Sequence, residues 1–221
     1  MKHDLPLDSD GDLYVFGYGS LIWRPGFAHA GSHPALLRGF HRRFCLWSHR
    51  YRGTPERPGL VLGLDRGGAC RGVVFRVPGA HAAAVLRYLD DRELPDGAEL
   101  VYHRRLLPVT LLDHAGRRVR AVTYVANRDC RLFIGSLDPR EAAGVIAHGV
   151  GQMGANRDYL LNTVLHLREM GVRDAGLDRI VALLPEGGED CPQDAAPQDA
   201  PRPSGTPGTS EAHPVPTGDA E

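Results

Sequence analysis

The strongest local signal in the sequence is VFGYGSLIWRPGF, residues 15–27. The apolar run that starts at Leu13 predicts a β-strand, which leads directly into Gly17-Tyr18-Gly19-Ser20-Leu21. Two glycines let the backbone turn sharply and bring its N–H groups close to a ligand, which suits a small oxyanion or a carboxylate. On the residues alone, a glycine bulge or a tight turn after the first strand explains the loop equally well.

Three familiar functional loops can be tested against this spacing. Ile22 stands where a dinucleotide-binding G-x-G-x-x-G loop needs its third glycine, and residues 23–26 prevent a long helix from starting. A P-loop is excluded because it needs a lysine, and Lys2 is the only lysine of the chain. A nucleophile elbow reads G-x-S-x-G, whereas residues 17–21 read G-Y-G-S-L. We therefore expect Ser20 to donate hydrogen bonds and not to act as a nucleophile, with Ser-His hydrolysis as an open alternative.

Composition and charge narrow the class of partner. The 221 residues are 42% hydrophobic and 24% charged, as in a soluble globular domain. With 26 Lys+Arg against 27 Asp+Glu, the net charge is -1, so we expect a small-molecule substrate and neither nucleic acid nor a membrane as partner. No apolar stretch of about 18 residues and no signal-peptide pattern occurs, which predicts a cytoplasmic protein.

The cysteines predict free thiols rather than a disulfide framework or a zinc site. The chain has four, none in a C-x-x-C pair: Cys45, Cys70, Cys130 and Cys191. His41, Cys45 and His49 share one face in either a helix or a strand, but they lack a fourth ligand. We therefore expect no metal.

Strand patterns dominate the first two-thirds of the chain and helical patterns the remainder. Strands are predicted over 13–18, 40–47, 59–64, 72–77, 100–112 and 118–126, and helices over 80–92, 139–148 and 156–170. Asp138 and Asn156 are suitable N-caps, and Gly171 is a normal C-terminal signal. Because strands and helices do not alternate, we predict an α+β domain with an antiparallel, barrel-like sheet.

The ends of the chain differ in composition from its middle. Residues 185–221 hold eight of the 17 prolines and no aromatic residue, which predicts a disordered Pro-rich tail. Residues 1–11 are expected to form a flexible leader. A single domain is then expected over residues 12–184.

Glu93 ends the first predicted helix, directly before the breaker at 95–97. A carboxylate at a helix C-terminus has its charged form disfavoured, and the resulting elevated pKa suits a general base near neutrality. A solvated helix end is the alternative. Asp90 could form a glycosidase-type pair with Glu93, but no second acidic cluster supports a sugar site.

A third motif, Gly151-x-x-Gly154-x-Asn156-x-x-Tyr159, opens the long helix. Its N–H groups and the positive end of the helix dipole suit an anion. Core packing of Tyr159 is the alternative.

In this order and at these separations, the motifs resemble those of the ChaC-type, glutathione-specific γ-glutamylcyclotransferases, a branch of the γ-glutamylcyclotransferase-like superfamily. The resemblance covers about residues 13–172. It rests on FGYGSLIW at 16–23, Arg43-Phe44, Ser48, Arg52-Gly53-Thr54-Pro55, Pro58-Gly59, Gly68-x-Cys70-x-Gly72-Val73, Tyr88-Leu89-x-x-Arg92-Glu93 and Gly154-x-Asn156-x-x-Tyr159-Leu160.

The resemblance implies a mainly antiparallel closed β-barrel with flanking helices. It also implies conversion of glutathione to 5-oxoproline and cysteinylglycine with no metal and no organic cofactor. Glu93 matches the family's catalytic glutamate, so residues 12–184 would be the catalytic domain. The residues implied to bind substrate are Tyr18, Gly19, Ser20, Leu21, Arg52 and Tyr159.

Two features limit what the resemblance assigns. Tyr102 follows Glu93 after more residues than in relatives, which leaves its role open. Arg52, Arg87 and Arg92 are candidates to hold glutathione's carboxylates or to tune Glu93. The alternative functions are a cyclotransferase for other γ-glutamyl peptides or amines, and a noncatalytic γ-glutamyl-binding module, against which the presence of Glu93 argues.

Overall fold

The structure is a computed structural model that describes residues 5–94, 99–113 and 116–185. Its strands are β1 (Leu13–Gly17), β2 (Gly31–Ser48), β3 (Gly59–Val77), β4 (Tyr102–Leu111), β5 (Arg118–Ala126), β6 (Val150–Gly151) and β7 (Gly154–Ala155). Its helices are a short 3-10 helix (Ser20–Ile22), α1 (Gly79–Glu93), α2 (Pro139–His148), α3 (Asn156–Glu169) and α4 (Ala175–Ala182). The predicted tail, apart from Pro185, and the first four residues of the predicted leader lie outside the described residues.

Five strands close into a barrel in the order β1-β3-β2-β4-β5. Neighbouring strands are antiparallel, except that β1 and β5 close the barrel as a parallel pair. The predicted fold, an α+β domain with a mainly antiparallel closed barrel and flanking helices, is confirmed.

The long hairpin of β2 and β3 differs from the predicted strands. The runs predicted at 59–64 and 72–77 belong to one strand, and β2 begins at Gly31, before the predicted start at residue 40. Between the two runs β3 bends at Gly67 and Gly68, whose φ angles are +98° and +67°. Residues 66–69 are exposed, so they lack the apolar pattern that identifies a strand in sequence.

Alternate residues of the strands supply two apolar clusters. One cluster packs against α2, α3 and α4 and includes Phe16, Leu62 and Val74. The other lies under α1, whose buried residues are Ala82, Val85, Leu86 and Leu89. Because α1 is packed along its length, its last residue is held at a fixed place beside the barrel.

The helix ends confirm two predictions and correct one. Asp138 caps α2 in a capping box with Glu141, as predicted for Asp138, and Gly171 follows α3 with φ +68°. Asn156 is wrong as an N-cap, since that position belongs to Ala155 and Asn156 is the first residue of α3. Its side chain instead satisfies the backbone of Leu60 on β3, accepting from its N–H at 2.6 Å and donating to its carbonyl at 2.8 Å.

Among the described helices, none is long and apolar enough to cross a membrane. Cys45, Cys70 and Cys130 are buried free thiols. Cys191 lies outside the described residues.

Candidate active site

A small cleft lies where the end of β1, the end of α1 and the first turns of α3 meet. Of the nine described residues that line it, four are tyrosines and one, Glu93, carries a carboxylate. The lining residues are Tyr18, Gly19, Ser20, Leu21, Leu62, Glu93, Tyr102, Tyr124 and Tyr159. The fold therefore brings the glycine loop, Tyr18–Leu21, and Glu93 into one site. Leu21 and Glu93 are 72 positions apart in the sequence.

The loop after β1 is fixed by a buried arginine. Arg42 is 7% exposed, and its Nη1 donates to the Tyr18 carbonyl at 2.8 Å and the Arg71 carbonyl at 3.1 Å. An ion pair of 3.0 Å between its Nη2 and Asp174 holds the guanidinium in place. These charge-assisted contacts fix the loop's backbone before any ligand arrives.

Glu93 is the last residue of α1, and its side chain is 19% exposed. Burial raises the pKa of this carboxyl above its ordinary value, and the neighbouring Arg92 guanidinium, 3.5 Å from Oε1, partly opposes that rise. An elevated pKa was expected from the helix end, and burial is its main cause here. The carboxyl therefore suits proton transfer near neutral pH.

Arg92 connects the end of α1 to the glycine loop. Its Nη2 donates to Ser20 Oγ at 2.9 Å, and its Nη1 donates to the Arg24 carbonyl at 2.9 Å and to Tyr88 Oη at 3.1 Å. The guanidinium thus fixes the position of Glu93 relative to the loop. Ser20 accepts a hydrogen bond here, and none of the nine lining residues is a histidine, so the Ser-His alternative gains no support.

Tyr159 reaches the cleft from α3, as the resemblance implied. Its ring packs near Trp23 and Phe44 with centroids 6.0 Å apart in each case, and burial raises its pKa to about 12. The Arg52 guanidinium lies 4.8 Å from the centre of the same ring, and its Nη1 donates to the carbonyls of Met153 and Ala155. Arg52 does not line the cleft, and neither do the other two candidate arginines, Arg87, which is exposed, and Arg92. Glu93 and the other five predicted site residues do line it.

Leu62, Tyr102 and Tyr124 line the cleft without having been predicted to do so. The Tyr102 hydroxyl donates to the Leu62 carbonyl at 2.8 Å. On isolated strands these residues have the pattern of ordinary core positions. In the sequence, Tyr102 stands out from other core positions only by its separation from Glu93. Tyr124 has no feature in the sequence that separates it from an ordinary core residue.

Asp90 does not form a carboxylate pair with Glu93. Its Oδ1 accepts a hydrogen bond of 2.9 Å from the Tyr124 hydroxyl, and its Oδ2 pairs with Arg104. The arrangement therefore differs from the two facing carboxylates of a glycosidase. Within residues 5–94, 99–113 and 116–185, no three His, Cys, Asp or Glu side chains are placed to hold a metal ion.

The closed five-stranded barrel with flanking helices, and a cleft between the loop after β1 and a helix-terminal glutamate, define a γ-glutamylcyclotransferase-like protein. A family profile described as "ChaC-like protein" matches residues 13–186. The chain belongs to the ChaC-like family, which confirms the resemblance.

Named relatives and a solved structure agree with this assignment. The glutathione-specific γ-glutamylcyclotransferase of Escherichia coli K12 is 33% identical over 79% of this chain and 74% of its own length. The protein of the same name from Schizosaccharomyces pombe is 34% identical over 74% and 87%, respectively. The crystal structure of a yeast γ-glutamyl cyclotransferase specific to glutathione matches with a TM-score of 0.69 and 25% identity, over 80% of this chain and 99% of that one.

Proposed function

We propose that this chain is a glutathione-specific γ-glutamylcyclotransferase, which converts glutathione to 5-oxoproline and cysteinylglycine. The observation that carries the proposal is the mostly buried carboxylate of Glu93, which lies in one cleft with the Tyr18–Leu21 loop. The names of relatives 33% and 34% identical to the chain support the same substrate. The proposal includes a cytoplasmic location and a reaction that needs no cofactor, as expected from the sequence and the resemblance.

The chemistry is an intramolecular acyl transfer. The α-nitrogen of the γ-glutamyl group forms a bond to its own γ-carbonyl carbon, and the amide bond to the cysteinyl nitrogen breaks. The amine arrives as an ammonium with three hydrogens, one of which stays on the lactam nitrogen. The other two end on the departing nitrogen as the ammonium of cysteinylglycine, so the reaction balances without water or an oxidant.

Glu93 is proposed to carry protons between the two nitrogens. Its carboxylate first removes a proton from the ammonium, which exposes the lone pair that attacks. The protonated carboxyl then donates to the departing nitrogen, so one residue acts as base and as acid. A raised pKa makes the carboxylate a stronger base towards the ammonium, and the carboxyl that results is still much more acidic than the departing amine that it protonates.

The remaining wall of the cleft would hold the substrate in its reactive shape. Backbone N–H groups of Gly19, Ser20 and Leu21 are proposed to bind the γ-glutamyl end and to stabilise negative charge on the carbonyl oxygen. Holding the γ-glutamyl chain in a curled conformation removes, before the reaction, the conformational entropy that the amine and the carbonyl would lose on meeting, a contribution of up to several kcal/mol. Arg42 supports this by holding the loop rigid.

The direct test is to quantify 5-oxoproline released from glutathione, oxidised glutathione and γ-glutamyl-alanine. We expect glutathione to have the highest kcat/KM. Higher kcat/KM for γ-glutamyl-alanine would point to a cyclotransferase for other γ-glutamyl compounds. Glutathione binding without any release of 5-oxoproline would point to a noncatalytic binding module.

Changing Arg92 should move the pH dependence. Because the Arg92 charge lowers the pKa of Glu93, Arg92→Gln raises that pKa further. The base is then protonated over a wider acidic range, so the acidic limb of kcat/KM should move to higher pH, with a several-fold loss of activity on that limb. The measurement is a pH–rate profile with glutathione.

Arg92→Lys is the matched control, because it keeps the charge but lacks the planar fork that reaches Ser20 and the Arg24 carbonyl. Its rate should fall at all pH values while the acidic limb stays in place. If Arg92→Gln left the limb unmoved, the electrostatic role of Arg92 would be wrong.

A further inference from the structure

Two tyrosines of the cleft, Tyr102 and Tyr124, already donate their hydroxyl protons in hydrogen bonds within the protein. Tyr102 Oη lies 2.8 Å from the Leu62 carbonyl, and Tyr124 Oη lies 2.9 Å from Asp90 Oδ1. A carbonyl and an ionised carboxylate can only accept, so the phenol is the donor in both contacts. Each phenol oxygen can therefore only accept a hydrogen bond from a ligand, through a lone pair.

Arg104, which does not line the cleft, forms an ion pair with the Asp90 carboxylate that accepts the hydrogen bond from Tyr124. Asp90 lies on α1 and its second oxygen pairs with Arg104 on β4, where Arg104 stands opposite Tyr124 of β5 in the strand register. As the carboxylate partner of the Arg104 guanidinium, Asp90 accepts the hydrogen bond from the phenol and has no proton to donate to it. Donating to a carboxylate also polarises the phenol and makes its oxygen a stronger acceptor.

The ligand group that fits such oxygens is a cation with several N–H donors. Tyr102, Tyr124 and Glu93 all line one cleft and each carries an acceptor oxygen, and an ammonium has three donors. Burial keeps both phenols protonated by raising their pKa values, so the cleft holds neutral oxygens and not phenolates. One carboxylate with two phenol oxygens therefore binds an ammonium without surrounding it with further negative charge.

We propose that Tyr124, held as an acceptor by Asp90 and Arg104, is a substrate-binding residue that selects γ-glutamyl compounds carrying a free, protonated α-amine. The inference rests on the proposed function and specifies which atoms recognise the amine. Asp90 and Arg104 are positioning residues, since they act on the ligand only through Tyr124. Glu93 then removes a proton from an amine whose place is already fixed by the phenol oxygens.

The test compares glutathione with its analogue that lacks the α-amine, 4-carboxybutanoyl-cysteinylglycine, which cannot cyclise. Dissociation constants are measured by calorimetry at pH 7 in the Glu93→Gln protein, in which turnover is slowed. Adding Tyr124→Phe should weaken glutathione binding about tenfold, the size of one hydrogen bond to a charged group. Binding of the analogue should change less than about twofold, because it has no ammonium to lose the contact.

Variants of Asp90 separate recognition from packing. Asp90→Ala frees the phenol proton, so Tyr124 can point a donor at the ammonium and glutathione binding should weaken as in Tyr124→Phe. Asp90→Asn keeps an oxygen that accepts from Tyr124 and should restore most of the affinity. A purely structural role for Asp90 would weaken both ligands alike.

The chain offers a matched control in Tyr14. Its hydroxyl donates to Asp10 Oδ2 at 2.7 Å, Asp10 pairs with Arg117 at 2.7 Å, and Tyr14 is buried but does not line the cleft. Tyr14→Phe removes the same kind of hydrogen bond and should leave the affinities for both ligands unchanged.

Equal weakening of both ligands by Tyr124→Phe, or no weakening of either, would overturn the inference. Release of 5-oxoproline from glutathione by the unmodified protein is measured alongside. If that release is absent, the proposed function fails. If it is present and glutathione binding does not depend on Tyr124, only the inference about amine recognition fails.

Discussion

Glu93→Gln is expected to lower kcat for 5-oxoproline release from glutathione by at least about 10²-fold, the usual contribution of a general acid–base group. Gln is close in size to Glu and keeps one acceptor oxygen, but it cannot take a proton from the ammonium or return one to the departing nitrogen. Glutathione should still bind, though more weakly, because Gln keeps an acceptor oxygen for the ammonium but loses the negative charge, so the fall in kcat should exceed the rise in the dissociation constant. Single-turnover rates and calorimetric affinities provide the two measurements.

Asp91→Asn is the matched control for this substitution. Asp91 is the exposed carboxylate two positions before Glu93 on the same helix, and it does not line the cleft. The same loss of one negative charge should leave kcat within about twofold. Turnover by Glu93→Gln close to that of the unmodified protein would rule out Glu93 as the group that transfers protons. Residual slow turnover is compatible with the mechanism, because holding amine and carbonyl together accelerates cyclisation without a base.

The predicted site residues that line the cleft owe their positions to local structure. The Tyr18–Leu21 loop follows a strand directly and Glu93 ends a helix, so each is visible in a window of about a dozen residues. Their meeting in one cleft is not local, since it depends on α1 packing across the outside of the barrel. The family resemblance supplied that step, because motifs in a fixed order imply a fixed spatial arrangement.

The role of Tyr124 cannot be predicted from local sequence patterns or from the family motifs. On β5 it stands in RVRAVTYVA, where alternating burial predicts an ordinary core residue. Its function depends on Asp90, which is 34 positions earlier, and on Arg104 across the strand pair. Spacing in the sequence makes Asp90 a candidate partner for Glu93, because the two are three residues apart on one helix. Spacing along a helix does not show that a third element, β5, supplies the partner instead.

Arg52 and Asn156 make contacts that their sequence motifs do not reveal. Arg52 stacks on Tyr159 and bonds to two carbonyls near the start of α3, so it supports a cleft residue from outside the cleft wall. Asn156 joins α3 to β3. A Cβ at Gly59 would lie 2.8 Å from Asn156 Oδ1, so glycine at that position allows the close approach. These motif residues therefore preserve the junction that carries Tyr159.

Asn156→Ala should be the most destabilising of the substitutions considered. The Asn156 side chain is fully buried and satisfies both the N–H and the carbonyl of Leu60, which is itself 0% exposed. Removing it leaves two buried backbone groups without partners, at about 1–3 kcal/mol each, or about 2–6 kcal/mol together. For a domain of this size the melting temperature should fall by about 5–20 °C.

Asn162→Ala on the same helix provides the comparison, because Asn162 is exposed and the substitution changes helix composition in the same way. It should alter the melting temperature by no more than about 2 °C. Chemical denaturation should give the same ranking, with a lower midpoint for Asn156→Ala at an unchanged slope. Equal melting temperatures for the two variants would mean that the Leu60 backbone finds other partners. Because α3 also carries Tyr159, the folded fraction of Asn156→Ala should bind glutathione more weakly, whereas Asn162→Ala should retain full affinity.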